Sequence, residues 1–105
     1  MHPDVKVVMH AARERFILDH DGIHGMAHWG RVRTNGLRLA QTTGALREVV
    51  ELFALLHDSC REDDGLDHDH GTRAAEFAEY LASRNILKIG TSQMDLLTTA
   101  CRLHS

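Results

Sequence analysis

Histidine is frequent in this chain, with nine among 105 residues, and one of them is followed directly by an acid, in the pair His57-Asp58. The pair ends a segment, 46–58, that becomes almost uniformly apolar at Leu52–Leu56, a pattern typical of a buried helix. Ionisable side chains at the end of a buried element are costly unless they are partnered. Taken alone, the pair has a simpler interpretation, a helix C-terminus that meets water and whose dipole favours a histidine.

The positions of four other histidines favour a shared site. His28 begins the apolar stripe of one predicted helix, with His24 one turn before it; His70 begins the stripe of another helix, and His104 ends the stripe of a third. Four predicted helices therefore each carry a histidine near one end of the inward face. Such side chains can converge on one point in a small bundle, which predicts a metal site. Imidazole and carboxylate ligands suit manganese, iron, zinc, nickel or cobalt, and the pattern does not choose among them.

The elements that would position these residues are helices, since apolar residues recur at helical spacing nearly everywhere and only Ile86–Ile89 is strand-like. The fold class is therefore all-α, a bundle of about five helices in a single domain over residues 1–105. Segment 46–58 is the central helix, and the polar stretch SCREDDGLDHDHG is a solvated loop at the mouth of the site. The predicted helices cover 4–19, 25–43, 46–58, 70–83 and a last segment that Thr91 or Ser92 caps.

Each predicted helix has an inward and an outward face. On the first helix the inward stripe is predicted to include Phe16 and Ile17, and on the last helix Leu96 and Leu97. On the second helix, three arginines are expected to reach solvent: Arg31, Arg33 and Arg38.

The composition argues against several classes of partner. A net charge of -3 does not suit binding to nucleic acid by counterion release, even through the arginines of the second helix. No apolar run approaches the roughly 18 residues of a membrane span, so no membrane partner is expected. Two cysteines without a CxxC pair favour a reducing cytoplasm.

Two familiar motifs fail in detail. The segment His24–His28 has the histidine spacing of a zincin, but Gly25 stands where the general-base glutamate belongs. The run Asp63–Asp67 resembles a calcium loop in composition only, because Leu66 falls where a ligand should alternate and no glutamate follows at the required offset. Neither a metalloprotease nor a calcium-binding protein is expected, and for the acids of this run contact with a metal or substrate is a minor alternative to solvation.

The order of His28, set in HWGRV, and His57-Asp58, set in LFALLHDSCR, resembles the HD-domain superfamily of metal-dependent phosphohydrolases. DHDHGTRAAEFAEYL and LTTACRLH resemble the family segments that bring further histidines, so the resemblance spans about residues 20–104. It implies an HD-type helical bundle in which Asp58 is positioned to bridge two metal ions. The implied metal ligands are His28, His57, Asp58, His70 and His104, the last two serving a second metal or the substrate phosphate. His24 would lie behind the ligands or contact substrate.

The family pattern also ends with a second aspartate, on a helix beyond the position that His104 matches. The chain stops at Ser105, and Asp95 precedes His104. The resemblance therefore implies that the C-terminal helices of the full family domain are missing. The fourth ligand would then be water, a loop acid such as Asp67 or Asp69, or a group from a neighbouring subunit.

The resemblance implies hydrolysis of a small phosphomonoester or nucleotide, with one or two divalent ions activating water for attack on phosphorus. Asp58 and Arg61 are the catalytic candidates, since arginine binds phosphate bidentately and Arg61 follows Asp58 by three residues. Arg31 and Arg73 each follow a predicted ligand by three residues and either face the same mouth or are surface charges. The alternative function is a catalytically impaired metal- or ligand-binding module that forms a homodimer.

Three residues near these ligands are more often structural than functional. Trp29 either packs in the core behind His28 or stacks on a substrate base. Cys60 and Cys101 are predicted to be small core residues rather than ligands. The remaining histidines are predicted to lie at the surface: His2, His10, His20 and His68.

Overall fold

The structure is a computed structural model that describes residues 3–43 and 47–103. These residues form five helices: α1 (Pro3–Arg15), α2 (Met26–Thr43), α3 (Arg47–Leu56), α4 (His70–Ser83) and α5 (Thr91–Leu103). The described ranges contain no strand, and Ile86–Ile89 belongs to the connection between α4 and α5. The all-α prediction is therefore confirmed. Among the described helices, none combines the length and the hydropathy needed to cross a bilayer.

Helix α3 is the centre of the bundle, as its apolar sequence predicts. It packs against α1, α2, α4 and α5, and Leu52, Ala54 and Leu56 are fully buried along it. A helix that is surrounded in this way must be apolar on nearly every side. Because α3 contacts all the other helices, the residues at its end lie where several helices can reach them.

One charged residue of α3, Glu51, is buried, with 6% of its surface exposed. Nη2 of Arg33, on α2, donates to Oε1 of Glu51 at 2.9 Å. The prediction that Arg33 reaches solvent therefore holds only in part, since 30% of its side chain is exposed and its Nη2 is paired with Glu51. A buried carboxylate needs a counter-charge, and α2 supplies it from the face that packs on α3.

Two apolar residues assigned to inward faces lie outside the core. Ile17 is 65% exposed, because α1 ends at Arg15 and the chain turns after Phe16, whose N–H still donates to the Ala12 carbonyl. Leu96 is 53% exposed, whereas its neighbour Leu97 is buried. Helix α5 contacts α3 and α4, and Leu96 lies on its open side.

The start of α5 also differs from its prediction. The helix begins at Thr91, and the capping contact comes from the side chain of Gln93, whose Oε1 accepts the N–H of Gly90 at 3.2 Å. A glutamine that reaches back to the residue before the helix is one half of a capping box. Gly90, rather than Thr91 or Ser92, is therefore the residue at the cap position.

Candidate metal centre

The pair His57-Asp58 lies in the turn that ends α3. The N–H of His57 still donates to the Phe53 carbonyl at 2.9 Å, and the N–H of Ser59 donates to the Leu56 carbonyl at 3.0 Å. The chain thus tightens directly after Leu56 and carries both ionisable side chains away from the helix axis toward α2 and α4. Both residues are buried, so their polar atoms require partners inside the protein.

Three potential ligand atoms meet at this point. Nε2 of His28 lies 3.2 Å from Nε2 of His57 and 3.2 Å from Oδ2 of Asp58, and the third distance, from His57 Nε2 to Asp58 Oδ2, is 3.4 Å. Ligands at about 2.1 Å from an ion lie about 3.0 Å apart along an octahedral edge and about 3.4 Å apart along a tetrahedral edge. The three atoms therefore have the mutual spacing of a coordination shell, and the cluster could bind a metal ion.

The tautomer of His57 suits this role. Its Nδ1 lies 3.1 Å from the Phe53 carbonyl oxygen and 3.0 Å from that of Ala54. A carbonyl oxygen can only accept, so Nδ1 carries the proton and donates it to the end of α3. The lone pair is then on Nε2, which faces His28 and Asp58, and a backbone partner of this kind is the usual orienting contact of a ligating histidine.

His70, the first residue of α4, has the same arrangement. Its Nδ1 donates to the backbone carbonyl of Asp67, and its Nε2 lies 3.5 Å from Oδ1 of Asp58. His70 therefore approaches Oδ1 of Asp58, whereas His28 and His57 approach Oδ2. It is adjacent to the three-atom cluster without being part of it.

Arg61 lies on the same side of Asp58 as His70. Its Nε donates to Asp58 Oδ1 at 3.0 Å, and its Nη1 donates to the carbonyls of Asp63 at 3.1 Å and Gly65 at 3.3 Å. Its side chain is mostly buried and lines the pocket above the cluster. Contact between Arg61 and a phosphate stays a prediction; the structure shows that the guanidinium neutralises Asp58 and fixes the acidic loop.

Arg73 is engaged behind that loop. Its Nη2 donates to both oxygens of Asp67, at 2.7 Å and 2.6 Å, and its Nε donates to the Cys60 carbonyl at 2.9 Å. Arg73 thus connects α4 to the turn after α3 and to the residue whose carbonyl orients His70. The structure places it in this network and not among the residues that line the pocket.

The hydrogen bonds of Arg73 also bear on the two loop acids, Asp67 and Asp69, that were considered as a fourth metal ligand. Burial acts to raise the pKa of Asp67, but the hydrogen bond from the Glu62 N–H and the hydrogen bonds and charge of Arg73 outweigh it and hold that pKa below its ordinary value. With both oxygens bonded to Arg73, Asp67 is a structural carboxylate. Asp69 is exposed before α4, and neither acid lines the pocket.

The cluster forms the floor of an open pocket of about 310 Å³. One wall is apolar and consists of Val32 and Phe53, whose ring stacks on His57 with centroids 5.1 Å apart. His24 lies at the rim, where its Nδ1 is 3.0 Å from Oδ1 of Asp64. The residues that line the pocket are His24, His28, Val32, Phe53, His57, Asp58, Arg61 and His70. A polar floor beside an apolar wall suits a small molecule with one charged and one apolar part.

Trp29 packs in the core, with 3% of its surface exposed. Its ring meets Phe16 edge-on at 5.2 Å, and its indole N–H donates to the His24 carbonyl at 2.8 Å. Of the two alternatives for this residue, the structure therefore supports packing behind His28 and not stacking on a base. The indole also fixes the backbone that carries His24 into α2.

The structure explains why residue 25 is a glycine, which the comparison with the zincin motif does not. A β-carbon at this position would collide with the carbonyl group of His20, whose oxygen accepts the N–H of Met26 at 2.8 Å. The loop before α2 folds back so closely that no side chain fits at residue 25. The start of α2, and with it the position of His28, depends on this glycine.

Arg31 and the two cysteines do not line the pocket. Arg31 is exposed on α2 and does not line it. Cys60 and Cys101 are buried, as predicted. Burial raises the pKa of the Cys60 thiol. Burial, together with the charge of a Cys60 thiolate, raises the pKa of Cys101 to about 12. Neither thiol belongs to the cluster that could bind a metal ion. His2 and His104 lie outside the described residues.

Sequence reasoning missed the contacts made through the backbone and the apolar wall. The carbonyls that orient His57 and His70 have no signature in residue type. Phe53 does have one, since it lies four residues before His57 and must share its side of α3.

No protein-family model, curated protein or solved structure matches the chain. The geometry of the site therefore carries the functional interpretation.

Proposed function

We propose that the protein is a metal-dependent phosphohydrolase that acts on a small phosphomonoester or nucleotide. The observation that supports this most directly is the convergence of the ligand atoms of His28, His57 and Asp58, at the spacing of a coordination shell, on the floor of an open pocket. Imidazole and carboxylate donors suit manganese, iron, zinc, nickel or cobalt. A divalent ion bound there would neutralise phosphate charge and lower the pKa of a coordinated water.

The charge of the pocket favours an anionic substrate. Asp58 is the sole carboxylate among the described residues that line it, and Arg61 already pairs with that carboxylate. A divalent ion would therefore leave the pocket with a net positive charge. A phosphomonoester, which is a dianion near neutral pH, matches this excess better than a neutral ester or an amide does.

The other residues of the pocket have distinct parts in this proposal. Hydrolysis joins a water oxygen to phosphorus and breaks the ester P–O bond, so the leaving alcohol must acquire a proton. His24, at the rim and paired with Asp64, is the imidazole we assign to that proton. His70 would contact a phosphate oxygen, and the wall of Val32 and Phe53 would receive the organic part of the substrate.

A specific observation also favours a second candidate, a metal- or ligand-binding module with impaired catalysis. With three protein ligand atoms in the cluster, a bound ion would keep at least one position for water or an external ligand. An ion bound in this way can recruit an anion without hydrolysing it. The two candidates share the metal and differ in turnover.

Elemental analysis of the purified protein, followed by reconstitution with manganese, cobalt or nickel, tests the shared part. Phosphate release from a panel of phosphomonoesters and nucleotides then tests turnover. His57→Ala and Asp58→Asn should lose the metal and the activity together. His10→Ala is the matched control, since His10 lies on the exposed face of α1 and pairs with Glu14 at 3.0 Å; it should change neither.

The outcomes separate the candidates. Metal that depends on His57 but supports no turnover on the panel would favour the binding module. Turnover that persists in both His57→Ala and Asp58→Asn would contradict the hydrolase. Absence of metal from both the purified and the reconstituted protein would contradict both candidates.

A further inference from the structure

We propose that the centre binds a single metal ion, because the guanidinium of Arg61 takes the place that a second ion would need. This inference rests on the proposed function, since it concerns the same ligands. It differs from what the family resemblance implies, in which the aspartate is positioned to bridge two ions. The two oxygens of Asp58 have unequal surroundings, and this difference favours one ion over two.

Oδ2 of Asp58 would face the proposed ion. It lies 3.2 Å from Nε2 of His28 and 3.4 Å from Nε2 of His57, and together these atoms provide three positions of one coordination shell. Oδ1 points toward His70, whose Nε2 is 3.5 Å away. A second ion would have to lie between these two atoms, because His70 is the next imidazole that Asp58 meets.

Oδ1 is already paired with a cation. Nε of Arg61 donates to Oδ1 at 3.0 Å, the length of a charge-assisted hydrogen bond. A divalent ion bound to Oδ1 would lie in van der Waals contact with the guanidinium. The two positive charges would repel each other, since Asp58 has only 3% of its side chain exposed and solvent screens charges at a buried carboxylate weakly.

Arg61 cannot easily move aside. Its Nη1 donates to the carbonyls of Asp63 and Gly65, so the acidic loop wraps around the guanidinium. The side chain is 11% exposed, and rotation would break all three hydrogen bonds together. Arg61 is therefore a positioning residue, which keeps Asp58 monodentate toward one ion. His70 then contacts the substrate and does not bind a metal.

The stoichiometry of manganese binding tests the proposal independently of turnover. Equilibrium dialysis with elemental analysis gives the number of Mn(II) ions per chain, and the paramagnetic resonance spectrum distinguishes an isolated ion from an exchange-coupled pair. Ions bound by His57→Ala are subtracted as the background from other histidines. Wild type should saturate at one isolated ion.

Three variants test the part of Arg61. Arg61→Gln removes the charge and should bind a second, coupled ion, at least about tenfold more tightly than any second ion that wild type binds at higher manganese concentration. Arg61→Lys keeps a positive charge near Oδ1 and should remain at one ion. Arg102→Gln is the matched control, since Arg102 pairs with Glu79 on the exposed surface at 3.4 Å. Far-UV circular dichroism confirms that each variant is folded.

The results discriminate between the two proposals. A coupled pair of ions in wild type would overturn the single-ion inference and leave the metal centre intact. If a folded Arg61→Gln variant binds one ion only, the charge of Arg61 is not what excludes a second ion. If Arg61→Gln does not fold, the wild-type count and the Arg61→Lys count still decide between one ion and two. No bound ion in any variant would contradict the proposed function itself.

Discussion

A methyl group added at Gly25 tests how the loop before α2 positions the site. A β-carbon on Gly25 would approach the carbonyl carbon of His20 to 2.6 Å and the carbonyl oxygen of Asp19 to 3.0 Å. Both neighbours are backbone atoms, which cannot rotate away as a side chain can. In Gly25→Ala the loop must therefore move, and the hydrogen bond from the Met26 N–H to the His20 carbonyl, 2.8 Å long, must break or stretch.

We expect Gly25→Ala to lower the free energy of unfolding by about 2–4 kcal/mol. Loss of one hydrogen bond contributes about 1 kcal/mol, and the forced backbone shift contributes about 1–3 kcal/mol, as overpacking typically does. The shift also moves His24, whose carbonyl accepts the indole N–H of Trp29, and the start of α2, which positions the candidate ligand His28. Metal affinity, measured by competition with a chelator, should therefore fall in the same variant.

Gly30, which lies within α2, offers a matched control. It is exposed within α2, and a β-carbon there would meet nothing within 4 Å. Gly30→Ala should raise the free energy of unfolding by about 0.5–1 kcal/mol, because alanine costs less conformational entropy in a helix. Urea unfolding followed by circular dichroism measures both variants. The reasoning is refuted if Gly25→Ala is as stable as wild type, or if the two variants differ by less than about 0.5 kcal/mol.

Three further predictions concern pH and metal. Burial acts to raise the pKa of Asp67, but the hydrogen bonds from Glu62 and Arg73 lower it below its ordinary value of 3.8. Wild type should therefore lose stability as the pH falls below that value, and urea unfolding of Asp67→Asn should show a smaller loss. Burial raises the pKa of Cys101 from 9.0 to about 12, so stability should fall as the pH rises through that interval, and less steeply in Cys101→Ala. A divalent ion at about 100 times its Kd should stabilise wild type by about 2.7 kcal/mol, whereas thermal unfolding of His57→Ala should not respond.

Each of these has a contrary result. Identical acid slopes for wild type and Asp67→Asn would show that the Arg73 contact contributes nothing to stability. If stability falls equally steeply with rising pH in wild type and in Cys101→Ala, then Cys101 ionises as easily in the folded chain as in the unfolded chain. Equal stabilisation of His57→Ala and wild type by metal would place the ion elsewhere on the protein.

Most of the helical framework could be predicted, because each helix presents its apolar residues at regular spacing. The predicted segment 70–83 coincides with α4, and 25–43 differs from α2 by one residue. The end of α1 could not be predicted in the same way. No glycine or proline follows Arg15 directly, and the helix ends where the chain turns to bring the His20 carbonyl to the start of α2. That contact is tertiary and has no local signature.

The convergence of His28, His57 and Asp58 could also be predicted, because each lies at the end of an inward face in a bundle too small to keep them apart. The orientation of Arg61 could not. Its position three residues after Asp58 fits both a phosphate contact and the observed ion pair with Asp58. The two alternatives differ in the path of the following loop, whose carbonyls at Asp63 and Gly65 accept hydrogen bonds from Arg61, and residue types do not predict that path. Arg33 is similar, since an arginine on a polar face gives no sign that a buried glutamate lies opposite.

The packing of Trp29 has a practical consequence. It is the one tryptophan of the chain, it is buried, and it follows His28 directly in sequence. Its fluorescence therefore reports from a single place, immediately behind the cluster. Emission from the folded chain should be at short wavelength and shift to longer wavelength on unfolding, and cobalt or nickel in the pocket should quench it. The protein thus contains its own optical probe, and ion binding can be followed without a label.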